Sequence, residues 1–190
     1  MNRNNFYSDA RRSLRERDGR ALIEAAEILI KSIDESEHGA GFLMRGGVYE
    51  YGATGVAQDL SKAISDYRRA SVLTPAMISY WYLGRALMKS GEIVQAERFL
   101  KEAAVMDGAL PDVELDLGRL YERSELKDLQ LSLRYFRRAA IRGRVQGFWG
   151  MARVLRHEGR NFSYSTMVLC TLLAIPVLWV LLGKKAFANY

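Results

Sequence analysis

A small residue recurs along this chain at nearly regular intervals: Gly46, Gly84, Gly118 and Ala152 lie 38, 34 and 34 residues apart. After each of the first three comes a second small residue, Ala63, Ala96 or Ser132. Four positions further on stands Tyr67, Leu100 or Phe136, and three after that Ala70, Ala103 or Ala139. A period in the thirties is that of stacked helical hairpins, each of which buries its apolar face only against the next. The spacing has a steric meaning. A glycine or alanine at a helix crossing lets two backbones approach, while a large side chain one turn away fills the space beside them.

Local signals agree with an all-α reading. Leu22, Ala25, Ala26, Leu29 and Ile33 form an apolar stripe opposite Glu24, Glu27 and Lys31, so residues 20–34 are expected to be an amphipathic helix capping the first hairpin. The polar run Asp34 to Gly39 is expected to end it. Pro75 and Pro111 precede first-helix segments, where a missing N–H costs nothing, and Asp59 and Asp128 are expected N-caps of second helices. The pattern predicts about nine helices before the C-terminal segment, counting a short one near residues 8–17.

On these residues the chain resembles the tetratricopeptide and Sel-one-like repeat superfamily over roughly residues 40–159. Tyr80, Leu83-Gly84, Leu87, Ala96, Leu100 and Ala103 stand at the tetratricopeptide packing positions. Gly46, Tyr49, Gly52, Gly55-Val56, Asp59 and Lys62-Ala63 follow the Sel-one-like form with one extra residue between glycines. Leu117-Gly118-Arg119-Leu120-Tyr121 and Phe136-Arg137-Arg138-Ala139-Ala140 also fit that longer variety. The fourth unit has only its first helix before Gly159, and the consensus proline near unit ends is missing. The resemblance implies a right-handed α-solenoid of helix-turn-helix repeats over residues 20–159.

A different constraint governs the C-terminus. From Asn161 to Gly183 no side chain is ionisable, and Lys184 and Lys185 follow. Such a run, at about 1.5 Å per helical residue, reaches roughly 34 Å and can cross a hydrocarbon core of about 30 Å. Tyr164 and Trp179 lie near its ends, and Pro176 is a kink position. Residues 161–183 are therefore expected to form one transmembrane helix, followed by a short tail, 184–190. Thr166, Cys170 and Ala174 fall four apart and give it a face of small side chains that suits close packing against another membrane helix.

Orientation follows from the charges. The segment 1–19 is basic and lacks the apolar core of a secretory signal. Arg134, Arg137, Arg138, Arg142, Arg144, Arg153, Arg156 and Arg160 precede the span with Glu158 as the only acid among them. That excess favours an N-terminal domain in the cytosol, whereas Lys184 and Lys185 pull the other way. The formal net charge of +6 thus sits beside the expected membrane. Arg137, Arg138, Arg142, Arg144 and Arg160 read as contacts to anionic lipid headgroups. No nucleic-acid motif accompanies them. Arginine outnumbers lysine, as in GC-rich bacterial genomes, and the expected location is a bacterial inner membrane.

Catalytic chemistry has little to build on. His38 and His157 have no acid or nucleophile at a triad or metal spacing, and Cys170, the single cysteine, lies within the span. Gly39-Ala40-Gly41 and Gly46-Gly47 follow no strand and precede no Gly-Lys-Ser/Thr, so the repeat accounts for them better than a phosphate loop. Asp112, Glu114 and Asp116 alternate along one helix and make a poor metal cage. The expectation is no enzyme, no cofactor, no metal, no small-molecule substrate and no nucleic acid.

What remains is binding. If the hairpins stack as the resemblance implies, first helices line a concave face. Positions six and three before, and one and four after, the recurring small residue then form one stripe. This gives Ile78, Trp81, Arg85 and Met88; then Asp112, Leu115, Arg119 and Glu122; then Gln146, Trp149, Arg153 and Arg156. Aromatic and arginine side chains anchor interfaces, so this stripe is the expected groove for a partner's helix or acidic peptide. The arginines favour a groove, while Trp81 and Trp149 fit equally well as packing between helices. The expected function is a membrane-anchored adaptor that binds a protein partner and organises a complex. The alternative is a regulatory or assembly subunit of an integral-membrane enzyme or exporter. Proteins of similar repeat type also point to polysaccharide synthesis or export.

Overall fold

The structure is a computed structural model, and it describes residues 18–157 together with Gly159. The expected span 161–183 with Thr166, Cys170 and Ala174, the tail, Arg160 and the helix near residues 8–17 lie outside the described residues. Eight helices are present among the described residues: α1 (Gly19–Ile30), α2 (Glu35–Tyr51), α3 (Leu60–Leu73), α4 (Met77–Ser90), α5 (Ile93–Val105), α6 (Pro111–Arg123), α7 (Leu129–Ile141) and α8 (Val145–His157). None of them is long and apolar enough to cross a membrane. The only β pairing among the described residues is the isolated bridges Asp18 to Thr54 and Ala53 to Val56. The chain divides into two compact units, one ending at Ala109 and the other beginning at Leu110.

Helix ends follow the local chemistry. Asp59 Oδ1 accepts from the Lys62 amide at 3.0 Å and Asp128 Oδ1 from the Leu131 amide at 2.9 Å, so both aspartates cap second helices. Pro111 opens α6, where its missing N–H would have had no helical partner. Gly91, at φ +89°, takes the left-handed turn after α4, and the next amide, of Glu92, donates back to Leu87 O at 3.0 Å.

Within the first unit each helix packs on its sequence neighbours, α1 on α2, α2 on α3, α3 on α4 and α4 on α5. Helices α2 and α4 cross their partners at the recurring glycines. A Cβ on Gly46 would lie 2.7 Å from the Tyr67 ring, and one on Gly84 would lie 2.8 Å from Leu100. Ala63, Ala70, Ala96 and Ala103 are fully buried around these contacts. The glycines thus lower intrinsic helix propensity, and the backbone approach they permit fills the core.

The second unit repeats the device and doubles it. Gly118 of α6 lies against the Phe136 ring, which a Cβ would approach to 2.7 Å. The same ring also meets α8, where Gly150 leaves the same kind of space. Gly147 lies against the α7 backbone near Ala140. The repeat register singles out Ala152, which is buried, and α8 also meets α7 through Gly147 and Gly150. Ser132 stands where the other repeats have Ala63 and Ala96, and its buried Oγ donates to Gly118 O at 2.8 Å.

The N-terminal helices depart from the expected pattern. Helix α1 stops at Ile30, so Ile33 lies beyond it, fully exposed. Ala25 is exposed as well, and Glu27 turns inward to pair with Arg45. The polar run after Asp34 is not a loop but the first turns of α2, and His38 Nε2 lies 2.8 Å from Ser32 O there. Packing decides this: Gly41 brings α2 onto Ala26 and Ile30, and Gly39 brings it onto Thr74.

The adjacent glycines of α2 give an expectation of opposite sign. Gly46→Ala forces the Tyr67 ring and should lower unfolding free energy by about 1–3 kcal/mol. At Gly47 a Cβ would meet only Tyr67 Oη, at 3.9 Å, so Gly47→Ala should raise it by about 0.5–1 kcal/mol. Urea denaturation of both variants checks the pair.

Candidate partner-binding surface

The stripe of first-helix residues contains two kinds of side chain, those consumed by the fold and those it leaves accessible. On α4, Trp81 is 3 % exposed and Arg85 is buried, while Ile78 and Met88 are half-buried. The guanidinium of Arg85 lies 4.7 Å from the Tyr82 ring centroid, 5.4 Å from that of Trp81 and 5.6 Å from that of Tyr51.

Arg85 is occupied by an acid that the sequence reading did not single out. Glu50 of α2 is 0 % exposed, and its Oε2 accepts from Arg85 at 2.8 Å and from the Tyr67 hydroxyl at 2.7 Å. Its Oε1 accepts from Lys89 Nζ at 2.5 Å. Burial pushes the Glu50 carboxyl up, but Arg85 and Lys89 outweigh it and hold the group below the ordinary glutamate value. Burial and the neighbouring Glu50 charge push the Tyr67 hydroxyl far above its ordinary range, so it stays protonated and donates. One carboxylate therefore ties α2, α3 and α4 together. A second cluster joins α1, α2 and α3: Arg45 holds Asp66 through two bonds of 2.8 Å and also pairs with Glu27.

In the second unit Leu115 is core, packed with Phe136, Ala139 and Val154. Arg153 forks onto the buried Glu122 with bonds of 2.7 and 2.6 Å, and this pairing raises the arginine further above its ordinary range. Arg119 pairs with Asp116 of its own helix at 2.8 Å and remains 45 % exposed. Trp149 is 46 % exposed, and Arg156 is exposed beyond it. Gln146 is half-buried.

The arginines expected at lipid headgroups also separate. Arg137 and Arg138 are exposed on α7. Arg142 pairs with Glu114 at 3.2 Å, and Arg144 is turned onto Asp112, with Nε 2.9 Å from its carboxylate. Asp112, Glu114 and Asp116 thus each serve a different arginine, and no group of three or more His, Cys, Asp or Glu among the described residues is placed to hold a metal. A signal for Glu50 did exist in the sequence. It stands four residues after Gly46, as Glu122 stands four after Gly118, while Arg85, Arg119 and Arg153 each follow a recurring small residue by one.

No protein-family model matches the chain, and no curated protein sequence matches it. Solved structures do. MamA is 16 % identical and superposes with a TM-score of 0.66 over 88 % of this chain and 90 % of its own. A Podosopora anserina protein of kinesin-light-chain type, with nearly identical TPR-like repeats, is 15 % identical with a TM-score of 0.65, covering 82 % of this chain and 84 % of its own. The fold is that of the TPR-like repeat proteins. The SLR-fold protein c5321, a protective antigen of uropathogenic Escherichia coli, is 16 % identical with a TM-score of 0.55. It matches 83 % of this chain, which spans 42 % of it.

The Glu50 cluster makes the repeat stack sensitive to acid. The folded carboxyl lies below the ordinary value of 4.5, so its stabilisation is complete above that pH and is lost as pH falls through the folded value. Glu50→Gln should flatten this loss, and it should cost about 3–5 kcal/mol at neutral pH because Arg85 is left buried without its charge partner. Chemical denaturation of both proteins across pH 3–7 checks the slope and the offset.

Proposed function

We propose that this chain is a membrane-anchored TPR-like scaffold that receives a protein partner on the first-helix face of its third and fourth repeats. The observation that carries this reading is the exposure of Trp149, at 46 %, in the position where Trp81 is buried. A large aromatic left half in solvent beside exposed arginines has the composition of an interface anchor. Arg119 and Arg156 lie on the same stripe, with the Arg153 and Glu122 pair between them in repeat position. The likeness to TPR-like repeat proteins supports a role in protein–protein contact.

The anchor is read from residues 161–183 alone, on length and lack of charge. Arg137 and Arg138, exposed on a helix that has no acid, suit a nearby anionic headgroup layer. The face of Thr166, Cys170 and Ala174 favours a second reading, in which the span itself pairs with an integral-membrane protein.

Trp149→Ala should reduce recovery of a cross-linked partner from native membranes about tenfold while leaving the thermal midpoint within a few degrees; undiminished recovery would remove the surface from consideration. For the anchor, the intact chain should stay with the membrane pellet through alkaline carbonate and enter detergent. Exchange of 161–183 for an unrelated leucine-rich span should preserve partner recovery if the scaffold reading holds, and abolish it if the span is the recognition element.

A further inference from the structure

The first unit carries a knob and a cleft of opposite charge, and neither is occupied by the other. The knob is Ile33, in the turn between α1 and α2, which is fully exposed and is followed by the exposed acids Asp34 and Glu37. The cleft, of about 370 Å³, is lined by Phe42 of α2 and by Arg68, Arg69, Val72 and Leu73 of α3. Val72 is 79 % exposed and Leu73 49 %, so two adjacent aliphatic side chains stand in solvent there. Gly39 of α2 lies against Thr74, which follows Leu73, so the turn bearing Ile33 and the last turn of α3 share one end of the unit. Phe42 comes seven residues after Glu35, the first of α2, which places it about 10 Å further along that helix. Arg69 lies 5.5 Å from the Phe42 ring centroid. Among the described residues Arg69 has no acidic partner and Glu37 no basic one. Arg68 is held by Gln95 at 2.8 Å, with the Glu92 carboxylate at 3.7 Å.

We propose that this end of the first unit joins two copies of the chain as a two-fold dimer, in which Ile33 of each copy enters the cleft beside Val72 and Leu73 of the other and Glu37 of each meets Arg69 of the other. Such a contact is isologous, since one copy supplies both knob and cleft, and it closes after two members. Charge selects the occupant. An anionic lipid surface suits Arg68 and Arg69 but is repelled by Asp34 and Glu37, and an acidic peptide in the cleft leaves Ile33 in water. The cleft is open to solvent rather than enclosed, which suits an inserted side chain better than a free small molecule. A second copy covers the apolar groups of both features and pairs both charges. Arg69, with the Phe42 ring against it, keeps its N–H donors for a carboxylate, and a bond of that kind is charge-assisted. The dimer depends neither on the Trp149 surface nor on residues 161–183, and it gives the scaffold two such surfaces in one assembly.

The test uses the full chain in mild detergent, as two preparations carrying donor or acceptor fluorescent proteins at the N-terminus, mixed over a concentration series. Saturable energy transfer is expected. Glu37→Arg in both copies, or Arg69→Glu in both, should weaken association about tenfold, because each change sets like charges against each other twice. A Glu37→Arg copy mixed with an Arg69→Glu copy should restore it, since both contacts then join opposite charges again. A defect of folding would not be repaired by the other copy. Ile33→Asp should abolish transfer without moving the thermal midpoint, as this side chain is already in water. On a Cys170→Ser background, Ile33→Cys in one copy should form a disulfide with Leu73→Cys in the other. Trp149→Ala should leave transfer unchanged. Transfer at background level in the native chain overturns the proposal. So does transfer that survives both charge reversals, which would place the contact between copies elsewhere, or a mixed pair that fails to recover. Loss of partner recovery in Trp149→Ala with energy transfer intact supports both readings, whereas recovery undiminished by that change sinks the scaffold surface and leaves the dimer standing.

Discussion

The fold depends on helix backbones meeting where one of them carries no side chain. At Gly46, Gly84 and Gly118 the opposing helix brings a large side chain into the space a Cβ would need, with approaches of 2.7 to 2.8 Å. Such contacts gain dispersion and exclude water in proportion to how closely the surfaces fit. At Gly84 and Gly118 they also fix register, because the flanking residues Leu83, Arg85, Leu117 and Arg119 all carry large side chains that Leu100 or Phe136 would meet after a one-residue shift of the glycine helix. Helix α2 shows the cost most plainly. It carries Gly39, Gly41, Gly46 and Gly47 and is helical because α1 and α3 hold it.

Buried charge adds a second layer of specification. Glu50, Asp66 and Glu122 are nearly inaccessible, and each is matched by an arginine from another helix. Desolvating such pairs offsets much of their attraction, so their main contribution is selection rather than net stability. A wrong partner helix would leave a bare carboxylate in the interior. This also separates the arginines of the first-helix face by role: Arg85 and Arg153 serve the architecture, while Arg119 is met only from within its own helix among the described residues.

The same separation shapes the functional reading. A face whose aromatic anchor is buried in one repeat and half exposed in another is not uniform, and the scaffold proposal is accordingly placed on the third and fourth repeats. Asp112 and Glu114 of α6 are engaged with Arg144 and Arg142, which ties this helix to the turn between α7 and α8, while Asp116 pairs with Arg119 within α6.

Sequence alone determined the steric skeleton, because recurrence makes it visible: Gly46, Gly84 and Gly118 share one repeat slot and Tyr67, Leu100 and Phe136 another, and Asp59 and Asp128 were caps by position, while the direct contact of each glycine with the large residue of its repeat is a result of the packing. It did not reveal that α1 ends at Ile30 or that the polar run beyond Asp34 is helical, since those outcomes come from packing against Gly39 and Gly41 rather than from local preference. Nor did it separate Trp81 from Trp149. Two tryptophans in one repeat position are equivalent to any periodic rule. Only the tertiary structure, through the rings and the Glu50 carboxylate gathered around Arg85, decided which is core and which meets solvent. The physical reason is that spacing places a side chain on a face, but what covers that face is supplied by residues distant in the chain.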